Sequence, residues 1–267
     1  MAYLKKQLLG KNMKNKIFAI GDIHGCYEEL MLLINKLPLN PKKDKIIFLG
    51  DYIDRGPDSN KVIAQLIKWK EKYPHWVFLS GNHEDIFRDW VSNNAQKYGL
   101  NNWFGNGGKT TYESYGGHYG KEVDGEFQFP KQPDFPDEHL NFLFRELEFV
   151  HEEENYVFVH GGLVPNESVK NLIELMNPMV QGHETIINAV LWAREGFIDS
   201  KYDWGKKVIF GHTPAYEKRW GTFGQPIVMK NKIGIDGAVC PTACKNLIAV
   251  ELPLEKFYFQ ENITCKK

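Results

Sequence analysis

Five short segments of the chain combine glycine with carboxylate, amide or imidazole side chains, the groups that commonly bind metal ions in proteins. Gly, Asp and Asn also favour ordinary turns for backbone reasons, so one such segment alone would indicate only a turn. Five turns that each present a metal-binding side chain predict a functional site. No thiolate belongs to the set, and its imidazoles favour Mn, Fe or Zn over Mg or Ca. The segments are Gly21-Asp22-Ile23-His24-Gly25, Gly50-Asp51-Tyr52-Ile53-Asp54-Arg55-Gly56, Gly81-Asn82-His83-Glu84, His160-Gly161-Gly162 and Gly211-His212-Thr213.

Each segment directly follows a short apolar run of the kind that forms a buried strand. Open α/β sheets bind their ligands at the carboxyl ends of the strands. We therefore expect five strand ends, distant along the chain, to meet at one site. The runs are Lys16–Ile20, Lys45–Leu49, Trp76–Ser80, Tyr156–Val159 and Lys207–Phe210.

Strand and helix patterns alternate in the first half of the chain. A helix is predicted over Tyr27–Leu37, and a second begins at Pro57-Asp58-Ser59 and stops before Pro74. This βαβαβ order predicts a parallel sheet. Closely spaced strand patterns near the C-terminus favour antiparallel pairing instead. Those patterns cover Pro226–Met229, Ile233–Asp236, Leu247–Leu252 and Lys256–Gln260.

The apolar periodicity fails over residues 98–136, a stretch rich in Gly, Asn, Tyr and Pro. We interpret this stretch as a lid or substrate-selecting insertion, because it lies between ligand-bearing strands. A helix is predicted to follow over Glu138–Val150. We find no repeat, linker or low-complexity tract, so we expect an N-terminal extension over residues 1–15 and a single domain over 16–267.

Composition and charge exclude several classes of partner. The 267 residues carry a formal net charge of -1, so no global field attracts nucleic acid or an anionic membrane. No apolar stretch approaches the roughly 18 residues that a membrane span requires. The first residues have no apolar signal-peptide core, and the 4 cysteines are sparse. We therefore expect a cytoplasmic protein with reduced thiols.

The order of the five motifs resembles the phosphoprotein-phosphatase branch of the calcineurin-like metallophosphoesterases, from about Lys16 to about Leu252. The resemblance implies an α/β fold, a sandwich of two mixed β-sheets flanked by helices, with the βαβαβ unit as its metal-binding core. Two further segments resemble the small bacterial and bacteriophage members in particular. They are Trp103-Phe104-Gly105-Asn106-Gly107-Gly108 with Thr111, and Leu191-Trp192-Ala193-Arg194-Glu195.

The same resemblance implies a centre of two divalent metal ions, Mn²⁺ by preference and Fe or Zn otherwise, bridged by Asp51. Such a pair stabilises both the attacking and the departing oxygen at phosphorus and converts a shared water to hydroxide near neutral pH. Direct attack by that bridging hydroxide would require no protein nucleophile. The other implied ligands are Asp22 and His24 for the first metal, and Asn82, His160 and His212 for the second.

Four residues are expected to act on the phosphoryl group or the leaving group. His83 follows a metal ligand directly, and the resemblance assigns it as general acid with Asp54 as its orienting carboxylate. Arg55 and Arg194 would bind the phosphoryl oxygens, since a guanidinium matches phosphate bidentately. The expected substrate-binding residues are Arg55, Asn82, Arg194 and Asn106.

The leading functional hypothesis is a phosphatase that hydrolyses phosphomonoesters, including Ser/Thr phosphoproteins. The alternative enzyme is a symmetrical dinucleoside tetraphosphate hydrolase, and the alternative of another class is a non-catalytic phosphate-binding regulator. No member of the catalytic set is missing, which disfavours the regulator. The charged residues of the 98–136 stretch favour the phosphatase, because several linked phosphates would require a more basic pocket. These residues are Lys109, Lys121 and Lys131 against Glu113, Glu122, Asp124, Glu126 and Asp134.

Overall fold

The computed structural model describes most of the chain. Of the expected N-terminal extension only Asn15 falls within the described residues, and the expected insertion is described in part. Among the described residues, no helix is both long and apolar enough to cross a membrane. The described residues are 15–92, 97–118, 120, 122–123, 126–127, 132–215 and 219–263.

Five strands form the first sheet. They are β1 (Ile17–Ile20), β2 (Lys45–Phe48), β3 (Val77–Phe78), β11 (Asn246–Leu252) and β12 (Lys256–Glu261). Their order across the sheet is β12-β11-β1-β2-β3. The first three strands run parallel, whereas β11 pairs antiparallel with both β1 and β12. The predicted parallel unit and the predicted antiparallel pair near the C-terminus are both confirmed.

Helices connect the parallel strands of this sheet. α1 (Tyr27–Lys36) has Glu28 and Glu29 in its first turn, where carboxylates favour the positive end of the helix dipole. α2 (Ser59–Lys72) makes the second crossover, and α3 (Asn82–Ser92) begins where β3 has just ended. The first residues of α3 therefore lie at the carboxyl edge of the sheet.

The second sheet repeats this arrangement of three parallel strands with antiparallel neighbours. It contains β6 (Val150–Glu152), β7 (Tyr156–Val159), β8 (Lys207–Phe210), β9 (Ile227–Val228) and β10 (Lys232–Gly234). The order is β6-β7-β8-β10-β9, with β6 and β9 antiparallel at the edges. The helices α7 (Val169–Leu175), α8 (His183–Trp192) and α9 (Glu195–Ile198) contribute apolar residues to the core on its outer face.

The two sheets pack face to face, and helices cover their outer faces. Because side chains alternate along a strand, β1 directs Ala19 into the layer between the sheets and Phe18 and Ile20 toward the helices. Ile47 of β2 and Ile209 of β8 belong to the same inter-sheet layer. The expected sandwich of two mixed sheets is confirmed.

The prediction of an irregular segment over residues 98–136 is wrong for its first part. α4 (Leu100–Trp103), a π-helical turn (Phe104–Gly108) and α5 (Lys109–Ser114) follow one another there. Gly107 kinks this segment with a φ of 102°. Since a kink resets the helical period, no continuous apolar stripe marks these turns in the sequence. The short strands β4 (Glu122–Val123) and β5 (Glu126–Phe127) pair further on.

The helix expected over Glu138–Val150 is shorter than predicted. α6 covers Asp137–Arg145, and the chain beyond it joins the sheets. The Glu148 N–H donates to Phe78 O at 3.0 Å, and Ser80 donates back to Glu148 O at 2.7 Å. Hydrogen bonds to the end of β3 thus replace those that would have continued the helix.

Candidate metal centre and active site

The loops that follow β1 and β2 are joined by backbone hydrogen bonds. The amides of Ile23 and His24 both donate to Asp51 O, at 3.0 and 2.8 Å. Glu84 adds a buried carboxylate that accepts the amides of Asp51, Tyr52 and Gly81 at 2.8–2.9 Å. These hydrogen bonds within the protein hold the loops after β1, β2 and β3 together.

Backbone strain is concentrated in these loops. Nine described non-glycine residues have positive φ, and five of them are predicted site residues. Positive φ costs free energy in residues with a Cβ and persists only where the surroundings enforce it, which is typical of functional sites. The five are His24, Asp51, Asp54, Arg55 and His212.

Two groups of side chains lie close enough to hold metal ions, and one of them contains His83, the expected general acid, in place of Asp22. His24, Asp51 and His83 form one group and Asp51, His160 and His212 the other, with ligand atoms within 4.8 Å of one another. Asp51 belongs to both, as expected of a bridging ligand. Its Oδ2 lies 3.5 Å from His24 Nε2, and its Oδ1 lies 3.3 Å from His160 Nε2.

Asn82 and Asp22 border these groups. Asn82 Oδ1 is 2.9 Å from His160 Nε2, so the predicted amide ligand lies beside the second group. Asp22 is buried, and its carboxylate accepts the backbone N–H of His212 at 3.0 Å. The structure thus brings all six predicted ligands together, with Asp22 linked to His212 through the backbone.

Hydrogen bonds to the ring nitrogens direct the imidazoles. Nδ1 of His24 donates to Ile53 O at 3.0 Å, and Nδ1 of His160 donates to Leu49 O at 2.8 Å. These bonds leave both Nε2 atoms near Asp51, as in metal-binding histidines, and Arg55 Nη1 lies closer still to that of His24. Nε2 of His212 is buried without a hydrogen-bond partner. An orphaned nitrogen beside an acid and two imidazoles fits a metal ligand.

The electrostatics separate three histidines from the fourth. Burial lowers the pKa of His24, His160 and His212, so these rings are neutral and can donate a lone pair. Burial would also lower the pKa of His83, but Asp51 and Asp54 outweigh it and raise that pKa. The site therefore combines neutral ligands with one imidazole that tends to hold a proton.

The expected pairing of His83 with Asp54 is present. His83 Nδ1 lies 2.7 Å from Asp54 Oδ2, and both side chains are buried. Nε2 of His83 has no hydrogen-bond partner and lies 3.9 Å from Asp51 Oδ2. Its unpaired Nε2 thus lies near Asp51, the residue that both groups share.

The three remaining predicted residues surround the ligands. Arg55 Nη1 lies 2.6 Å from His24 Nε2, and Arg194 Nη1 donates to His212 O at 3.3 Å. One guanidinium therefore lies next to a ligand of each group. Asn106 is less directly engaged, because its Nδ2 donates to Asn102 at 2.8 and 2.9 Å.

Sequence reasoning missed two buried carboxylates of the site. Burial raises the pKa of Glu84 to about 7, and the same cause raises that of Asp236 to about 6. Glu84 is the last residue of the third motif, Gly81-Asn82-His83-Glu84. Asp236 follows the apolar run of β10, so the strand-end rule that selected Asp22 would also have found it.

Two of the cysteines agree with the expectation of reduced thiols and one does not. Cys26 and Cys240 are free and buried, and burial raises the pKa of the Cys26 thiol, as for an inert side chain. Cys244 is disulfide-bonded, so the expectation of reduced thiols is wrong for it. Cysteine spacing cannot show which thiols a fold brings together. Cys265 lies outside the described residues.

Two mixed sheets with Asp, Asn and His side chains converging at their strand ends define a metal-dependent phosphoesterase. The family model described as calcineurin-like phosphoesterase matches residues 15–240, and the chain belongs to that family. Phosphoesterases of this family use divalent metals, in agreement with the two ligand groups.

The named relatives are bis(5'-nucleosyl)-tetraphosphatases. The asymmetrical enzyme PrpE of Anoxybacillus flavithermus is 41% identical over 86 residues, 29% of this chain and 35% of its own length. The symmetrical enzyme of Buchnera aphidicola is 43% identical over 67 residues, 25% of this chain and 23% of its own length. These two alignments thus span about a third or less of each relative. PrpE of Oceanobacillus iheyensis aligns far more widely, at 29% identity over 91% of this chain and 90% of its own length.

A solved structure supports the fold. A protein serine/threonine phosphatase from Saccharomyces cerevisiae, with similarity to human phosphatase PP5, superposes with a TM-score of 0.55. The match covers 95% of this chain and 81% of that one at 18% sequence identity. At that identity the likeness concerns the fold alone.

Proposed function

We propose that this protein hydrolyses dinucleoside polyphosphates at a centre of two divalent metal ions. The observation that carries the substrate is the alignment with the asymmetrical bis(5'-nucleosyl)-tetraphosphatase of Oceanobacillus iheyensis, because it spans 91% of this chain and 90% of that enzyme. This proposal favours the class that the sequence motifs put second, with the position of cleavage left to experiment.

Six residues would hold the metals in this proposal. Asp51 is shared by both groups of ligand atoms and would be the bridging ligand. When bound, the metal pair would polarise the phosphoryl oxygens and lower the pKa of a water molecule. The neutral rings of His24, His160 and His212 suit Mn, Fe or Zn. Asp22 and Asn82 complete the proposed set.

The other site residues would bind the substrate and move a proton. His83 would donate its Nε2 proton to the leaving oxygen. Asp54 Oδ2, which lies 2.7 Å from His83 Nδ1, would accept a hydrogen bond from the Nδ1 proton. Arg55 lies next to His24 and Arg194 next to His212, and both would bind the phosphoryl oxygens. Asn106 is retained as a substrate contact because its neighbour Gly107 accepts the Arg55 N–H at 3.1 Å.

Two aromatic side chains in a shallow surface pocket beside the centre support a nucleoside substrate. Trp192 meets the His212 ring edge to face with centroids 5.8 Å apart, and Tyr98 packs on Trp192 at 5.9 Å. Both aromatic residues line a shallow, open surface pocket of about 520 Å³. A base stacked on an aromatic ring gains about 1–3 kcal/mol. The charge balance of residues 98–136 argues against a substrate with several phosphates, but less strongly than the alignment argues for it. Lys121, Asp124 and Lys131 lie outside the described residues.

Phosphomonoesters, including phosphoserine and phosphothreonine in proteins, are the second candidate substrates. The motif order of the phosphoprotein-phosphatase branch favours them, through Asp22, Asp51 and Asn82 with their neighbours. A site that recognises one phosphoryl group would accept them as well. The two candidates therefore differ in the surroundings of the metals and not in the chemistry at phosphorus.

The deciding experiment compares substrates under one metal condition. Chelation should abolish hydrolysis, and Mn²⁺ should restore it better than Mg²⁺. We expect kcat/KM for diadenosine tetraphosphate to exceed that for a phosphothreonine peptide by about a hundredfold, or roughly 2.7 kcal/mol. Chromatography of the nucleotide products separates symmetrical from asymmetrical cleavage. A peptide preference of that size would establish the second candidate, and full activity without metal would refute both.

A further inference from the structure

The Asp54 carboxylate is fully buried and is bound on both of its oxygens. Oδ1 accepts hydrogen bonds from Trp103 Nε1 at 2.9 Å and from Thr111 Oγ1 at 2.7 Å. Oδ2 is paired with His83 Nδ1 at 2.7 Å. Two neutral donors thus occupy one oxygen, so the other oxygen is directed to the imidazole and the carboxylate cannot rotate without losing bonds.

The backbone of Asp54 is held by the same segment. Its N–H donates to Thr111 Oγ1 at 2.8 Å and to Ser59 Oγ at 3.1 Å. This fixes a residue whose φ is 73°, a conformation that a side chain with a Cβ rarely adopts. Thr111 therefore constrains both ends of Asp54, the amide and the carboxylate.

A kinked helical segment places the two donors on one carboxylate. Trp103 ends α4 and Thr111 lies in α5, on either side of Gly107 with its φ of 102°. Close packing supports the indole, because a Cβ on Gly108 would lie 2.5 Å from the Trp103 ring. Residues 100–114, which show no continuous apolar periodicity in the sequence, therefore pack against Asp54, the partner of His83.

We propose that Trp103 and Thr111 are positioning residues for acid catalysis and act through Asp54 on His83. This inference rests on the proposed function, in which His83 protonates the leaving oxygen. In that step the oxygen of a water molecule that has lost a proton forms the new bond to phosphorus. The bond from phosphorus to the leaving oxygen breaks, its electron pair stays on that oxygen, and the proton that neutralises it passes from His83 Nε2. The Nδ1 proton remains against Asp54 Oδ2. If one donor is removed, the carboxylate can rotate, and the His83 ring no longer directs Nε2 at the leaving oxygen.

A purely structural role is the competing explanation. Trp103 is buried in an aromatic cluster, with ring centroids 5.1 Å from Phe87, 4.4 Å from Trp90 and 5.1 Å from Phe104. Damage to that cluster would slow the hydrolysis of every substrate alike. Loss of the acid geometry would slow only substrates whose leaving group needs a proton. The leaving group therefore separates the two explanations.

Two substitutions remove the donors, Thr111→Val with little change of shape and Trp103→Phe with the loss of part of a buried ring. With the metal-loaded protein, each should lower kcat on an alkyl phosphate about 10- to 100-fold and kcat on p-nitrophenyl phosphate less than about threefold. Thr111→Ser keeps the hydroxyl and should stay close to the parent protein. Trp90→Phe alters the same aromatic cluster, and among the described residues its indole makes no hydrogen bond to Asp54. It should show no dependence on the leaving group.

A double-mutant cycle completes the test. In a His83→Ala background, Trp103→Phe and Thr111→Val should cause no further loss on the alkyl phosphate, because they act through the missing ring. Equal losses on both substrates by the two single variants, or fully additive losses in the cycle, would overturn the positioning role. If His83→Ala itself slowed both substrates equally, the acid assignment would fail. The cycle would still decide whether the donors act through His83. Melting temperature and metal content identify any variant that has failed to fold.

Discussion

The two ligand groups of the centre differ in how the fold builds them. The one-sheet group, His24, Asp51 and His83, comes entirely from residues that follow strands of the first sheet, with His83 in the first turn of α3. The two-sheet group, Asp51, His160 and His212, needs loops of both sheets. Backbone hydrogen bonds between neighbouring loops set the first group. The second group depends on how the sheets pack against each other.

Two of the contacts between the sheets at this edge are made by proposed ligands. Asp22, from the first sheet, accepts the His212 N–H at 3.0 Å, and His160, from the second sheet, donates to Leu49 O at 2.8 Å. Gly21 approaches so closely that a Cβ there would lie 2.1 Å from Ile235 O. The same residues would thus bind metal and fix the spacing of the sheets.

Asp51→Asn should have the largest effect, since Asp51 is the residue that both groups share. Loss of its charge would weaken both metals, and we expect kcat/KM to fall on the order of 10³-fold or more. Asp22→Asn is the comparison, because that carboxylate lies outside both groups and should cost less. Metal content of the two purified variants, measured by mass spectrometry, tests the order. Equal metal loss in both would remove the special position of Asp51.

His83→Ala should separate the acid from the ligands of the one-sheet group. We expect a loss on the order of 10²–10⁴-fold on an alkyl phosphate and a clearly smaller one on a nitrophenyl ester. Metal content should stay unchanged, whereas His24→Ala, the matched variant of a true ligand, should lose metal. If His83→Ala lost as much metal as His24→Ala, His83 would be a ligand and not the acid.

Gly21→Ala should disturb the two-sheet group through the sheet spacing alone. The new methyl group would meet the backbone of Ile235, so we expect a destabilisation of about 1–3 kcal/mol, as for other overpacked sites. Gly196→Ala is the control, since nothing lies within 4 Å of a Cβ there. Thermal unfolding and metal titration of both variants provide the measurement. A Gly21→Ala protein with parent stability and metal content would show that the two-sheet group tolerates changes in spacing.

The smallest expected effect lies on the second sheet but away from its ligands. Burial would lower the pKa of His151, but hydrogen bonds to Glu148 and Glu153 outweigh it and, despite Lys45, raise that pKa above 6.5. A raised histidine pKa adds stability that is complete below pH 6.5 and disappears as the pH rises through the folded-state value. His151→Gln should therefore cost less than about 1 kcal/mol at pH 5.5 and nothing at pH 9.

Denaturant unfolding of His151→Gln and its parent at the two pH values checks this prediction. Metal content should be the same in both proteins, because Glu148 and Glu153 flank β6 and do not belong to the two-sheet group. A pH-independent loss of stability would mean that packing, and not the charge of His151, accounts for the effect.

Much of the fold could be predicted from the sequence because its signals are local. The strands and the first two helices follow from short-range apolar periodicity, and the strand ends alone located Asp22, Asp51 and His160. The helical turns over 100–114 were missed because Gly107 breaks their period. The end of the helix before β6 was missed because hydrogen bonds to β3 decide it.

The chemistry of the site was decided only by the tertiary structure. The sequence by itself determined which side chains are available and in what order, since their types and spacing are written in the motifs. Residue type and neighbours alone could not separate His83, with its raised pKa, from His212, with its lowered one, and only the family resemblance assigned them different roles. That difference arises from burial and from the nearest carboxylate. Those surroundings come from residues as much as 190 positions apart, as for Asp22 and His212.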